Sequence, residues 1–303
     1  LHGRNTEISI VNSVKEISAE TVKIRGGVLS LESATAIMGV VNVTPDSFSD
    51  GGRYLNVDAA VAHAVAMVEQ GATLLDIGAE SSRPGAEPVD ETEEIRRLIP
   101  VVREVCRRVS VPVSVDTTKA AVAVRALDAG AAIINDISAL RFDPAMAKVV
   151  AESGAGLVLM HMQGTPKTMQ DAPKYRDVVA DVYDFFRERI RTAEQLHISP
   201  QQILLDPGIG FGKNQEHNLT LLARLDRFLP LGRPLLVGVS RKAFIGRILD
   251  RPVDERVMGT AAAVALAVAH GAKVVRVHDV RQMRDVVKMA DAITTQSPNR
   301  QIL

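Results

Sequence analysis

The sequence predicts an α/β fold, a (β/α)8 TIM barrel. Three observations carry that expectation. Eight short apolar runs alternate with longer amphipathic stretches, the runs are rich in Val, Ile and Leu without polar alternation, and several amphipathic stretches end in a Gly-Ala step just before the next run. Unbroken apolar runs suit parallel strands buried on both faces. Glycine takes the left-handed conformation that ends a helix and returns the chain to the sheet. An open doubly wound sheet shares the same alternation, but eight strand-then-helix units fit a closed barrel better.

Residues 1–34 stand outside the repeat as an N-terminal extension. Within them TVKIRGGVLSL alternates apolar and polar residues around Gly26-Gly27, a hairpin signal, and a ribbon plugging the barrel's bottom is its expected role. The barrel is expected over residues 35–295, with a short tail at 296–303. Its strands are expected at 36–42, 73–78, 111–116, 131–137, 156–161, 203–206, 235–240 and 274–278. Helical patterns lie between them at 57–70, 91–108, 118–129, 143–153, 177–197, 215–227, 254–270 and 281–291. No low-complexity linker and no second domain interrupts the series.

Composition narrows the function classes. In 303 residues, 36 Lys and Arg balance 36 Asp and Glu, which argues against a nucleic-acid or membrane-surface partner while leaving room for a local anion site. One cysteine, Cys106, excludes an internal disulfide and suits a reducing compartment. The stretch LHGRNTEISI has no apolar signal core, and no 18-residue apolar run occurs. A cytoplasmic protein is the expectation.

In such a barrel the chemistry sits at the strands' C-terminal ends. Nearly every expected strand here ends in a polar side chain: Asn42, Glu80 with Ser82 and Arg83, Asp116, Asn135, His161, Asp206, Ser240 with Arg241 and Lys242, and Arg276 with His278. One Asp or Asn after a strand is commonly a helix cap, and Asp116 before Thr117-Thr118-Lys119 invites that reading. Caps alone, however, do not call for Arg, Lys and His. Asp116, Asn135 and Asp206 offer acceptors to a ligand edge rich in N–H groups, such as an aminopyrimidinone ring. Arg83, Arg241, Lys242, Arg276 and His278, with Asn42, suit a phosphate or diphosphate; the bland alternative is a solvated rim. No zinc-like spacing or nucleophile triad stands out, and a magnesium ion bridging phosphate oxygens needs no dedicated cage.

Three loops add detail. NVTPDSFSDGG (42–52) gathers hydroxyls and carboxylates on one short connection without a phosphate-loop lysine. DPGIGFGK (206–213) lacks dinucleotide-fingerprint spacing, and its glycines let Phe211 and the backbone approach a flat ligand. The polar connection 161–176 reads equally as a lid or as a surface loop.

These blocks together resemble bacterial dihydropteroate synthases, the pterin-binding barrel enzymes of folate synthesis. The matching stretches are IMGVVNVTPDSFSDGG (37–52), DIGAESSRPGA (76–86), VSVDTTK (113–119), INDISAL (134–140), LVLMHMQGTPKTMQ (157–170), LLDPGIGFGK (204–213), VGVSRKAFIG (237–246) and VRVHDV (275–280). The resemblance implies condensation of 6-hydroxymethyl-7,8-dihydropterin diphosphate with p-aminobenzoate, giving 7,8-dihydropteroate and diphosphate with Mg2+ assisting. It also implies a homodimer and a sulfonamide target. By the same resemblance Asp116, Asn135, Asp206 and Lys242 would hold the pterin, with Met160 and Phe211 packed on the ring. Asn42, Arg83, Arg276 and His278 would meet the diphosphate, Asn42 also reaching the metal. Phe48, Ser82, Pro84 and Ser240 would line the aminobenzoate site, and Asp46 and Asp50 would ride a mobile cover. Catalysis would rest on Asn42, Arg83, Lys242, Arg276 and His278. Ser82 stands where many relatives carry Thr, Ile209 where some have Phe, and the variable AFIG after Lys242 bears on how aminobenzoate analogues bind. The rival readings are a methyltetrahydrofolate-type pterin methyltransferase, which should lack the diphosphate cluster, and a non-catalytic pterin-binding relative, which should lack Asn42 or the carboxylates of 42–52.

Overall fold

A computed structural model describes residues 20–43, 53–80, 87 and 89–296. Two short strands, β1 (Thr21–Ile24) and β2 (Gly27–Ser30), pair antiparallel ahead of the main body. Their turn is Arg25-Gly26, one residue earlier than the Gly pair suggests, and Gly26 takes the positive φ of 83° that the tight reversal requires.

Eight parallel strands follow: β3 (Ala36–Asn42), β4 (Leu74–Gly78), β5 (Val113–Asp116), β6 (Ile133–Asp136), β7 (Gly156–Met160), β8 (Ile203–Asp206), β9 (Leu235–Gly238) and β10 (Ala272–Val277). They close in the order β10-β3-β4-β5-β6-β7-β8-β9, which rules out the open sheet. The surrounding helices are α1 (Arg53–Gln70), α2 (Glu91–Arg108), α3 (Ala120–Asp128), α4 (Met146–Ser153), α5 (Val178–Gln195), α6 (Gln215–Ala223), α7 (Ala243–Leu249), α8 (Val257–Ala269) and α9 (Val280–Thr294). Among the described residues no helix is long and apolar enough to cross a membrane.

Two helical expectations need correction. The pattern at 215–227 stops at Ala223 and gives way to a 3-10 segment, Leu225–Leu231, containing Pro230, which lacks the N–H that a continuing α-helix would use. The pattern at 254–270 begins with a separate 3-10 turn, Val253–Glu255, before α8 starts at Val257. Helix α7 went unread because it is one short turn pair with Gly246 inside it, too brief to show a helical period.

Strand parity sorts the core. Outward residues such as Ile37, Leu75, Ile77 and Val275 pack against the helices in one continuous apolar cluster. Inward residues at the strands' N-terminal ends form a second cluster: Ala36, Met38, Leu74, Ile133, Val158, Leu204, Leu236 and Val274. Val22, Ile24, Leu29 and Leu31 of the hairpin segment belong to this second cluster, and the Arg25 N–H donates to the Ala132 carbonyl at 3.1 Å. The hairpin therefore plugs the barrel's lower end, as expected, and leaves the upper end for chemistry. Leu31 is 1% exposed, so Leu31→Ala should lower the unfolding free energy by about 2–5 kcal/mol in a urea titration. A loss below about 0.5 kcal/mol, the scale of an ordinary surface change, would mean that the plug is not part of the core.

Candidate active site

Above the apolar floor the inward positions turn polar. Asp76 and Ser114 are register partners on β4 and β5, and Asn135 and Arg276 bring in β6 and β10. At the strand ends stand Asn42, Asp116, Met160 and Asp206, with Ser240 and His278 just beyond β9 and β10.

Asp76 organises one half of the mouth. Its carboxylate is fully buried, and Oδ2 accepts both Arg276 Nε at 2.6 Å and Asn135 Nδ2 at 3.0 Å. Arg276 also extends Nη2 to Asp116 Oδ2 at 3.4 Å. Four strands are thereby joined through one guanidinium and one amide. A Cβ at Gly78 would stand 3.3 Å from the Asp116 Cβ, so the glycine leaves Asp116 its place. Asp76 Oδ1 and Ser114 Oγ are buried without a partner among the described residues, two unmet polar atoms beneath the mouth.

The other half is built from the loop after β8. Asp206 Oδ1 accepts the Gly208 N–H at 2.7 Å, which bends the chain back on itself. Gly208, Gly210 and Gly212 all take positive φ, 64°, 87° and 62°. The Ile209 carbonyl turns to accept Lys242 Nζ, whose ammonium also lies 4.4 Å from the centre of the Phe211 ring, within cation–π range. Phe211 packs on a small apolar cluster of Ile137, Met160, Met162 and Met169. The 161–176 connection lies against this loop: Gln170 Nε2 donates to the Gly210 carbonyl at 2.8 Å and Tyr175 Oη to the Gly212 carbonyl at 2.6 Å.

Burial acts against the charges of Asp116, Asp206 and Lys242. It pushes the Asp116 carboxyl upward, with Asp76 adding to the effect and Arg276 opposing it. It raises Asp206 against the pull of Lys242, and lowers Lys242 to about 8 against the pull of Asp206. Such a site gains most from a ligand that offers N–H donors to the carboxylates and an acceptor to the lysine.

Most of the sequence candidates on described residues stand at this mouth; His161 does not, because its ring takes the outward parity and packs edge-on against Phe185 of α5. Asn42 is exposed at the top of β3, and Asn135, Met160, Asp206 and Ser240 are buried. Ser240 Oγ accepts the His278 N–H at 3.2 Å and lies 3.0 Å from His278 Nδ1, which orients the imidazole. Asp116 is no helix cap: the Ala120 N–H that opens α3 donates to Asp143 instead. Arg241 is engaged by Asp279, which accepts its Nε at 2.9 Å and Nη2 at 2.5 Å, as Asp76 and Asp116 engage Arg276. Asp46, Phe48, Asp50, Ser82, Arg83 and Pro84 lie outside the described residues. Sequence reading passed over Asp76, Ser114 and Ile137. A charged residue inside the apolar run TLLDIG was the available signal for Asp76. Among the described residues no group of three His, Cys, Asp or Glu side chains could hold a metal.

Known proteins resemble the whole barrel. The pattern of the pterin binding enzyme family matches residues 38–278. A dihydropteroate synthase from Synechocystis is 48% identical over 260 residues, covering 86% of this chain and 90% of the relative. The solved dihydropteroate synthase of Xanthomonas albilineans with 4-aminobenzoic acid superposes with a TM-score of 0.86 at 46% identity, covering 93% of this chain and 100% of that one. A further structure of the Xanthomonas enzyme, in complex with 7,8-dihydropteroate, gives a TM-score of 0.82 at 44% identity, with coverages of 92% and 100%.

The raised Asp116 carboxyl makes a stability prediction. An acid whose folded value lies above its unfolded one supports the fold below about pH 4. That support is lost as pH rises from the ordinary carboxylate range to about 8, where the buried group ionises. Asp116→Asn should therefore raise the melting temperature near pH 8 by about 2–4 °C, roughly 1 kcal/mol, with the gain vanishing near pH 4. A variant that loses stability equally at both pH values would refute the assignment.

Proposed function

The chain belongs to the pterin binding enzyme family, and from that premise we infer that it is a dihydropteroate synthase. It condenses 6-hydroxymethyl-7,8-dihydropterin diphosphate with p-aminobenzoate to give 7,8-dihydropteroate and diphosphate. The observation that carries this reading is the split mouth. Asp116, Asn135 and Asp206 present acceptors deep in the barrel, Lys242 presents a donor beside them, and His278 lies toward the rim.

The chemistry follows from that division. The ring N–H groups donate to Asp116, Asn135 and Asp206, Lys242 donates to a ring acceptor, and Met160 and Phe211 cover the ring's faces. Arg276 and His278, with Asn42, take the diphosphate; Arg83 from 81–86 is assigned to the same group. As the methylene C–O bond breaks, positive charge develops on the pterin and negative charge on the leaving diphosphate. Carboxylates beneath the ring offset the first and the cations stabilise the second. The neutral arylamine then forms the C–N bond and releases its proton, so no protein nucleophile is needed. Ser240, with Phe48, Ser82 and Pro84, positions the aminobenzoate, and Asp46 and Asp50 belong to the cover that excludes water.

Asn42 suits magnesium. Its amide oxygen is a single hard, neutral donor on an exposed strand end, and Mg2+ keeps several waters and takes its other ligands from substrate phosphates. Bound there, the ion would neutralise charge on the leaving diphosphate. We assign the reaction to the cytosol, where a chain with one cysteine forgoes disulfides.

The protein acts as a homodimer through α8. That helix, VMGTAAAVALAVA, has no charged residue, yet Met258 is 79% and Leu266 58% exposed. An apolar outer face on a helix that is apolar all round is a face to be covered. A second copy covers it by presenting the same face about a two-fold axis. Leu266→Glu should weaken self-association about thirtyfold or more by sedimentation; a wild-type chain that sediments as a monomer at micromolar concentration would refute the dimer.

Diphosphate release from the pterin substrate with Mg2+ should depend on p-aminobenzoate. Lys242→Ala and Asp206→Ala should each lower kcat/KM about a hundredfold or more while the chain stays folded. Lys242 loses its proton at about pH 8, where Asp116 gains its charge, so pterin affinity should fall more steeply above pH 8 in the Asp116→Asn chain than in the unaltered one, and Lys242→Met should remove that falling limb. Near-normal turnover in either alanine variant would remove those residues from the site, and failure to form dihydropteroate at all would reject the reaction.

A further inference from the structure

Lys213, the last residue of DPGIGFGK, has no role in the reaction as described, yet it is 1% exposed. Its Nζ lies 3.0 Å from the Gly208 carbonyl, 2.9 Å from the Phe211 carbonyl, 3.3 Å from the His161 carbonyl and 2.9 Å from His161 Nδ1. None of these partners is a carboxylate. Burying an ammonium with no carboxylate in hydrogen-bond contact is expensive, with Asp206 the one opposite charge acting on it, and a plain structural position would be served by an apolar residue of the same length. What the ammonium does supply is three donors, one each for Gly208 O, Phe211 O and His161 Nδ1.

Those partners bracket the pocket. Between the two bound carbonyls lie Ile209, whose own carbonyl holds Lys242, and Gly210, whose N–H donates to Asn218 Oδ1 at 2.6 Å. His161 N–H in turn donates to the Asp206 carbonyl at 2.9 Å, so the same cage ties the end of β7 to the end of β8. A Cβ at Gly208 would collide with the His161 carbonyl, which leaves the loop no room to adopt this path with a larger residue there. The charged groups acting on Lys213 are Asp206 and Lys242, and Arg141 acts on His161.

We infer that Lys213 is a positioning residue for the pterin pocket, its caged ammonium holding the 206–212 loop in the shape that presents Asp206, the Ile209 carbonyl and Phe211 to the ring. The inference rests on the dihydropteroate synthase reading and adds a residue that touches no substrate.

Chemical rescue separates this role from plain stability. Lys213→Ala removes the atoms of propylammonium, and the full-length variant should bind the dihydropterin diphosphate about tenfold or more weakly, a change of roughly 1.4 kcal/mol. Its KM for p-aminobenzoate should stay within about threefold, under 1 kcal/mol. Propylammonium chloride should restore pterin binding saturably, and 1-propanol of the same size should not. Unchanged pterin affinity, equal losses for both substrates, or equal rescue by the alcohol would overturn the proposal. Lys213→Met preserves the volume and should show the same loss without rescue; wild-type affinity in it would also overturn the role. In the unaltered chain the 15N shifts of His161 should report an unprotonated Nδ1, and an Nδ1–H tautomer would break the cage irrespective of how the variants fold. Pterin affinity is read by direct binding, so a chain that binds pterin normally but makes no dihydropteroate refutes the reaction and leaves this test standing.

Discussion

A fully buried carboxylate and a half-buried guanidinium inside a barrel, Asp76 with Arg276, constrain how the rest of the mouth is built. The carboxylate cannot stay in that interior alone: removing the partner of a buried charge typically costs about 3–5 kcal/mol, since the charge left behind remains desolvated. The pair spans β4 and β10, which flank β3, and it recruits Asn135 on β6 and Asp116 on β5. The strands that carry Asp116 and Asn135, two of the proposed pterin acceptors, are thus braced at the barrel's mouth. A buried ion pair is weak evidence for stability, but it fixes direction, and direction is what a flat polar ring needs.

The opposite wall reaches the same end by different means. Around β8 the bracing comes from main-chain groups: Gly208 N–H on Asp206, the Ile209 carbonyl on Lys242, and the carbonyls gathered by Lys213. Glycines with positive φ turn successive peptide groups toward these side chains. Both walls are therefore held before substrate arrives, which is the condition for electrostatic preorganisation. The cost of unmatched burial, visible in the raised Asp116 and Asp206 and the lowered Lys242, is what the ring N–H groups and acceptors of the proposed pterin substrate would relieve.

The rim couples this site to the helices behind it. Lys242 precedes α7 directly, and its neighbour Arg241, at a positive φ of 57°, is locked to Asp279 at the start of α9. Thr260 of α8 accepts the Arg241 N–H at 3.0 Å, and Arg256 donates to the Arg241 carbonyl at 3.1 Å. The helix proposed to meet a second subunit thus holds the backbone beside Lys242, so the proposed docking face and the pocket share one set of contacts.

By itself the sequence determined the barrel, the plugging hairpin and the polar residues that end its strands. Those features follow from local patterns: apolar runs of strand length, Gly-terminated helices, and polar residues placed where parallel strands end. What it did not settle depended on which residues meet across the barrel. Asp76 looked like one polar residue in an apolar strand until closure set it against Arg276, which lies 200 residues further on. Arg241 counted as a free cation until Asp279 took it, and Lys213 as the end of a glycine motif until its carbonyls closed around it. The periods of strand and helix say which face a side chain takes, but closure of the barrel decides what it finds there, because partners from strands far apart in sequence become neighbours only when β10 pairs with β3.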